Sequence, residues 1–279
     1  WFCRGGGQNY RTGVYELMFM VWGDTMQTII LKTDDIHRGY LILVNPEYPY
    51  QEASTDLCSV GTWEGEEILY ERTAAGALKN LIHEIGGAGQ IVPVSAWRSM
   101  AEQQKIWDDS LAENGLEFTQ NYVAVPGHSE HQTGLAIDLA LNKPEIDFIR
   151  PDFPYEGICQ TFRQRAAAHG FVERYQEGKQ AITGIEHEPW HFRYVGTPHA
   201  EIMTQMGMAL EEYLAFLKKY RYGEKSYIAE RKQGERFAVS FVRADETNGA
   251  VELEVDELRP YSISGNNCDG FIVTEYCKR

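Results

Sequence analysis

Apolar residues along the chain fall into two kinds of spacing, which separate predicted strands from predicted helices. "TIIL" (28–31) and "GYLILVN" (39–45) are short apolar runs ended by charges or by Asn-Pro, which predicts two strands. In "RTAAGALKNLIHEIGGAG" (72–89), Ala74, Leu78, Leu81, Ile82 and Ile85 recur at helical spacing before a glycine stop. "IVPVSAWRS" (91–99) predicts a strand running into a loop, and "MAEQQKIWDDSLAENG" (100–115) a helix closed by Asn-Gly. "GLAIDLAL" (134–141) has the pattern of a buried strand, and "HFRYVG" (191–196) of another, set between amphipathic helices at 157–170 and 199–220. Strands and helices mix without a regular βαβ repeat. The fold class that follows is α+β, a mostly antiparallel sheet flanked by helices.

After "KKYRYGEKS" the texture changes. "RFAVSFVR", "AVELEVDEL" and "GFIVTEY" alternate or run apolar between turn signals, and Val251, Leu253 and Val255 share one face. Residues 224–279 are therefore expected to form a small β meander laid on a larger domain over 26–223. Residues 1–25 show no clear periodicity, and Met26 opens a stretch that reads as a natural start; the expectation is a leader or artefact outside the fold.

Composition narrows the function classes. A net charge of -15 over 279 residues argues against a nucleic-acid binder, and any anion pocket must be built locally from Arg or Lys. The apolar run "YELMFMVW" near the start is too short to span a bilayer and lacks the flanks of a signal peptide, so no membrane insertion and a cytoplasmic location are expected. Five scattered cysteines without a C-x-x-C motif make neither a disulfide framework nor a cysteine zinc knuckle, although a Cys268–Cys277 bridge is conceivable in an exported protein.

Chemistry concentrates in two stretches, "GHSEHQTGLAIDL" (127–139) and "GIEHEPWHFRYVG" (184–196). On the first strand Ala136 and Asp138 point to one face and Ile137 and Leu139 to the other; an aspartate there is costly unless it binds a cation or is well hydrogen-bonded. Gly134 allows the preceding loop to turn so that His131 comes back over Asp138. In the second stretch, His187-Glu188-Pro189-Trp190-His191 fits H-E-x-x-H by letter, but that motif needs a helix, and Pro189 and the β-branched and aromatic residues that follow oppose one. On a strand, His191 shares a face with Arg193 and Val195, while Trp190, Phe192 and Tyr194 face a core. His131, Asp138 and His191 thus form a two-imidazole, one-carboxylate set suited to catalytic zinc, one ion per chain. Pro189 bends the chain so that Glu188 returns beside the metal as the base, with His187 only a neighbour. His128, His187 and His199 are taken as satisfied or neighbouring histidines, and "HSEH" lacks the G-x-S-x-G elbow of a serine hydrolase.

S-x-H-x-x-G-x-A-x-D followed by E-x-W-H resembles the zinc D-Ala-D-Ala peptidases, whose fold is shared with hedgehog signalling domains. The VanXY-type D,D-dipeptidase/D,D-carboxypeptidases of vancomycin resistance are the nearer likeness, through "VPVSAWRS", "GHSEHQTGLAIDL", "DFIRPDFPY", "EPWHFRYVG" and "SISGNNCDGFIVT" over about 26–279. The chain departs at Ala96-Trp97, where that family more often has Gly-Tyr before the arginine. The resemblance implies the same three zinc ligands, Glu188 as general acid and base, Arg98 stabilising the oxyanion, and Ser129 and Gln103 hydrogen-bonding the substrate. It implies hydrolysis of D-Ala-D-Ala dipeptide, of the terminal D-Ala of peptidoglycan pentapeptide, or of both. The alternatives are an L,D-carboxypeptidase or peptidoglycan endopeptidase of the same fold, and a non-catalytic module that keeps zinc for structure.

Overall fold

A computed structural model of the protein describes residues 26–51, 56–231 and 234–277; the expected leader at 1–25 lies outside them. The strands are β1 (Met26–Lys32), β2 (Leu57–Trp63), β3 (Glu66–Glu71), β4 (Ile91–Ser95), β5 (Ala136–Leu141), β6 (Phe171–Glu173), β7 (His191–Tyr194), β8 (Tyr227–Glu230), β9 (Arg236–Arg243), β10 (Ala250–Asp256), β11 (Tyr261–Gly265) and β12 (Gly270–Cys277). The α-helices are α1 (Arg72–Glu84), α2 (Met100–Tyr122), α3 (Gly157–Ala166), α4 (Gln180–Thr183), α5 (His199–Met206) and α6 (Leu210–Leu217).

The sheet that carries the site is antiparallel throughout, in the order β4-β5-β7-β6. One face presents Ile137, Leu139, Phe171 and Phe192, which pack with Leu78 and Leu81 of α1 and Phe162 of α3. The alternation expected for 134–141 and 191–196 is what buries this face, and it leaves Asp138, His191 and Arg193 on the other. α1 starts where the Glu71 side chain accepts from Ala74 N–H and ends before Gly86, whose φ of +66° suits glycine. α2 starts with a capping box, Ser99 with Glu102, and is interrupted at Gly115 (φ +80°, ψ 172°) before resuming to Tyr122.

A second core joins α5 and α6 to β8, β9 and β12 through Ala200, Met203, Leu210, Leu214, Val239 and Ile272. The C-terminal strands form the antiparallel sheet β11-β12-β9-β8, while β10 pairs with β1, so Leu253 and Val255 pack with Ile29 and Leu31 over Val242 and Val273. Among the described residues no helix is long and apolar enough to cross a membrane. Cys268 and Cys277 are free thiols, so the conceivable bridge between them is absent.

Three elements differ from expectation, the first being α2, which resumes beyond the Asn-Gly expected to close it. Residues 39–45 are buried from Leu41 to Asn45 but form no strand. Their backbone is satisfied largely by side chains instead: Ser264 Oγ accepts from Leu41 N–H, Arg193 donates to the carbonyls of Tyr40 and Ile42, and Asn267 donates to that of Leu43, while Leu43 N–H donates to the Asn266 carbonyl. The single helix expected over 199–220 is two, because Gly207 adopts φ +63° and ends α5.

Candidate metal centre and active site

Asp138 sits on the middle of β5, directly opposite Ser95 on β4 and His191 on β7. His131 arrives from a single 3-10 turn, Glu130–Thr133, that ends at Gly134 with φ +72°. This left-handed residue, predicted from the sequence, folds the loop back over the sheet. His131, Asp138 and His191 are all buried, and each offers a donor atom within 4.8 Å of the others. His131 Nε2 lies 3.1 Å from Asp138 Oδ2, and His191 Nδ1 lies 3.0 Å from Asp138 Oδ1. Among the described residues this is the one such cluster of metal-ligating groups.

Hydrogen bonding fixes how the donors point. His131 Nδ1 lies 2.6 Å from the Ala96 carbonyl, an acceptor only, so Nδ1 carries the proton and Nε2 presents its lone pair to the cluster. Burial, with Arg98 adding to it, pushes the His131 imidazolium down to about 4, so the ring is neutral at pH 7. Burial raises Asp138, but His131 and His191 outweigh it and hold the carboxyl well below the usual carboxylate range. Burial lowers His191 as well, but Asp138 and Glu130 overcome it and raise the group to about 9. Asp138 Oδ1 is buried with no well-aligned hydrogen bond. Arg98 and His131 lie against Oδ2, while Oδ1 faces His191 without an aligned bond; a buried carboxylate oxygen left so would be satisfied by a further cation, and the N,N,O donor set suits zinc.

Glu188 reaches the same place by a turn. His191 N–H donates to the Glu188 carbonyl across Pro189-Trp190, a β-turn with proline at its favoured second position. The Glu188 carboxylate thereby comes within 3.5 Å of His191 Nδ1. Arg163 clamps the turn, donating to the carbonyls of Pro189, Phe153 and Pro154 and pairing with Glu173. Burial pushes the Glu188 carboxyl up to about 8; Asp138 adds to the rise, and His191 and Arg98 oppose it. His187 points elsewhere, with Nε2 2.7 Å from the Tyr155 hydroxyl and 3.4 Å from Glu173. No helix joins His187 to His191, so H-E-x-x-H is a likeness of letters only.

The remaining predicted residues divide. Arg98 donates to Asp138 Oδ2 at 2.9 Å and to Ser95 Oγ at 2.8 Å, and it lines the cleft beside the cluster. Ser129 also lines that cleft, a space of about 470 Å³ walled further by Tyr175, Phe148 and Trp190. Gln103 does not: it is fully buried, its amide donates to the Ala124 carbonyl, and its Oε1 lies 3.4 Å from Arg98 Nη1. It stands beside the arginine. Sequence reasoning missed Glu130, Arg174 and Arg193, a buried ion cluster under His191, and Tyr175, whose ring lies tilted against the His191 ring with centroids 4.7 Å apart. Arg193 alone had a signal, its place on the His191 face.

The VanY family model, D-alanyl-D-alanine carboxypeptidase, matches residues 67–197, which span this whole site. The chain is 40% identical over 179 residues to the bifunctional D-Ala-D-Ala dipeptidase and D-Ala-D-Ala carboxypeptidase VanXYC of Enterococcus gallinarum, covering 63% of this chain and 94% of the relative. It is similar to the solved structure of the vancomycin-resistance D,D-dipeptidase VanXYg in complex with a D-Ala-D-Ala phosphinate analog, with a TM-score of 0.87, 47% identity, and coverage of 90% of this chain and 99% of that one. A mutant of the D,D-pentapeptidase VanY from a VanB-type resistance cassette, in complex with Zn(II), matches with a TM-score of 0.51 and 29% identity over 63% of this chain and 98% of that one. The chain belongs to the VanY family of D-alanyl-D-alanine carboxypeptidases, and VanXY-type peptidases are among its relatives.

Proposed function

We propose that the protein is a zinc-dependent D,D-peptidase that hydrolyses D-Ala-D-Ala dipeptide, removes the terminal D-Ala of peptidoglycan pentapeptide precursors, or does both, giving glycopeptide resistance. The observation that carries this reading is the convergence of His131, Asp138 and His191 with Glu188 in one buried cluster.

His131 through Nε2, Asp138, and His191 through Nδ1 would hold one zinc ion. Bound there, zinc supplies Lewis-acid chemistry to water and to the scissile carbonyl. Glu188 is the proton carrier. A carboxyl pushed up towards neutrality by burial, then lowered by a nearby dication, can take a proton from the attacking water and return it to the leaving amine. Arg98 lines the same cleft, its Nε held by Ser95 and its Nη2 by Asp138, and this fixed guanidinium would stabilise the developing oxyanion. Ser129 lines the cleft and would hydrogen-bond the peptide.

The test is to incubate zinc-loaded protein with D-Ala-D-Ala, with muramyl pentapeptide and with the corresponding tetrapeptide, and to quantify released D-Ala. Release from dipeptide or pentapeptide is expected. Release from the tetrapeptide alone would instead mark an L,D-carboxypeptidase, and no release from any would overturn the D,D-peptidase reading in favour of an endopeptidase or a binding module.

A further inference from the structure

Glu130 is fully enclosed beneath His191, yet only one of its two oxygens is used. Arg174 Nε and Arg193 Nη1 lie 2.8 and 2.9 Å from Oε1, and Arg174 spends its other nitrogens on Glu211. Two guanidiniums and two carboxylates make this cluster neutral. Oε2 is left buried without a hydrogen-bond partner, and so is His191 Nε2, 3.7 Å away. That separation is too long for a direct hydrogen bond, and the two unpartnered atoms are chemically complementary.

The opposite edge of the His191 ring explains the gap. Nδ1 lies 3.0 Å from Asp138 Oδ1, and this direct contact draws the ring towards the cluster and away from Glu130. A ring that offers the Nδ1 lone pair to a metal must carry its proton on Nε2, facing Glu130. We propose that Glu130 is a positioning residue for the metal centre: its free carboxylate oxygen accepts from His191 Nε2–H, and so fixes the tautomer and tilt of this ligand. The inference rests on the metal reading above. The device mirrors the one on His131, whose Nδ1–H donates to the Ala96 carbonyl. One 3-10 turn then supplies a ligand, His131, and the brace of the other ligand, Glu130. Arg174 and Arg193 keep that brace charged without sharing Oε2.

The test is zinc affinity by chelator competition, alongside thermal unfolding, for the full chain and for Glu130→Gln. Folded Glu130→Gln is expected to bind zinc about 10- to 100-fold more weakly, the usual cost of losing the partner of a metal-bound imidazole. A variant that melts earlier but keeps unchanged zinc affinity would reduce Glu130 to a structural ion pair and overturn the proposal. Should Glu130→Gln not fold, nitrogen-15 NMR of the unaltered zinc-loaded protein decides. A His191 ring protonated at Nε2 with a slowly exchanging proton supports the proposal, and one protonated at Nδ1 overturns it. Failure of the unaltered chain to bind zinc would remove the metal reading itself, an outcome distinct from both.

Discussion

Asp138 and His191 stand directly opposite each other in the antiparallel β5–β7 pair, with His191 Nδ1 3.0 Å from Asp138 Oδ1. Two of the three proposed ligands are thus set by strand register alone. A slip of one residue would turn both to the apolar face, where Ile137 and Phe192 now pack, so the core that fixes the register also fixes the metal geometry. His131 and Glu188 are added to this pair by turns, one closed by Gly134 and the other by Pro189.

Histidine identity is the first prediction. His191→Ala should abolish stoichiometric zinc binding. His187→Ala, which loses only a half-exposed contact to Tyr155 and Glu173, should change zinc affinity by no more than about fivefold. Equal loss in the two variants, measured by chelator competition, would revive the helical H-E-x-x-H reading.

Gln103 gives a second. Its amide is tied to Ala124 and its oxygen faces Arg98, so Gln103→Leu should lower kcat while leaving KM for D-Ala-D-Ala little changed. Leaving the Ala124 carbonyl unpaired should also cost about 1–3 kcal/mol in urea unfolding. A rise in KM at constant kcat would restore Gln103 to the substrate-binding role that the family resemblance implies.

Arg163 gives a third. It holds three backbone carbonyls around the Glu188 turn and pairs with Glu173. Arg163→Ala should cost about 3–5 kcal/mol of stability, as expected when one partner of a largely buried ion pair is removed. Arg163→Lys should fold, keep its zinc and lose activity, because one ammonium cannot span those carbonyls and the Glu188 carboxylate is left loosely placed. Full activity in Arg163→Lys would show that the turn needs no clamp.

The legibility of this protein in its sequence divides by range. Alternation along 134–141 and 191–196 is a local signal, and it was enough to separate Asp138 and His191 from Ile137 and Phe192. Gly134 and Pro189 announced the two turns, because each dictates backbone geometry by itself. The run 39–45 misled because its apolar side chains are buried as a strand's would be, while its backbone is paired by Ser264, Asn267 and Arg193 from distant parts of the chain. The β2–β3 hairpin carries no such signal, because its strands mix polar and apolar residues on either side of Glu64-Gly65. Gly207 could have signalled the break between α5 and α6. The Glu130–Arg174–Arg193 cluster joins three segments, and no local pattern encodes an ion pair across such separations.

Acid sensitivity is a fourth prediction, and it concerns the second core. His199 is buried between Tyr213 and Thr274, and burial pushes its imidazolium down to about 3. Its folded value lies below the unfolded one, so the folded state binds the fewer protons. The contribution of His199 is whole above about pH 6.5 and is lost as pH falls towards 3, by up to about 1.4 kcal/mol per pH unit. Urea unfolding of the zinc-saturated protein between pH 7 and 5 should show this slope, and His199→Gln should flatten it. An unchanged slope in the variant would assign the acid loss to other groups.

The most direct measurement pairs zinc content with D-Ala release for the unaltered protein and for Glu188→Gln. The unaltered protein should hold one zinc per chain and release D-Ala, and stripping the metal should stop release until zinc is restored. Glu188→Gln should keep its zinc and lose about 100- to 10,000-fold in rate, the reach of a positioned acid-base group. A metal-free protein that hydrolyses as fast as the loaded one, or a Glu188→Gln variant that does so with its zinc in place, would contradict the account.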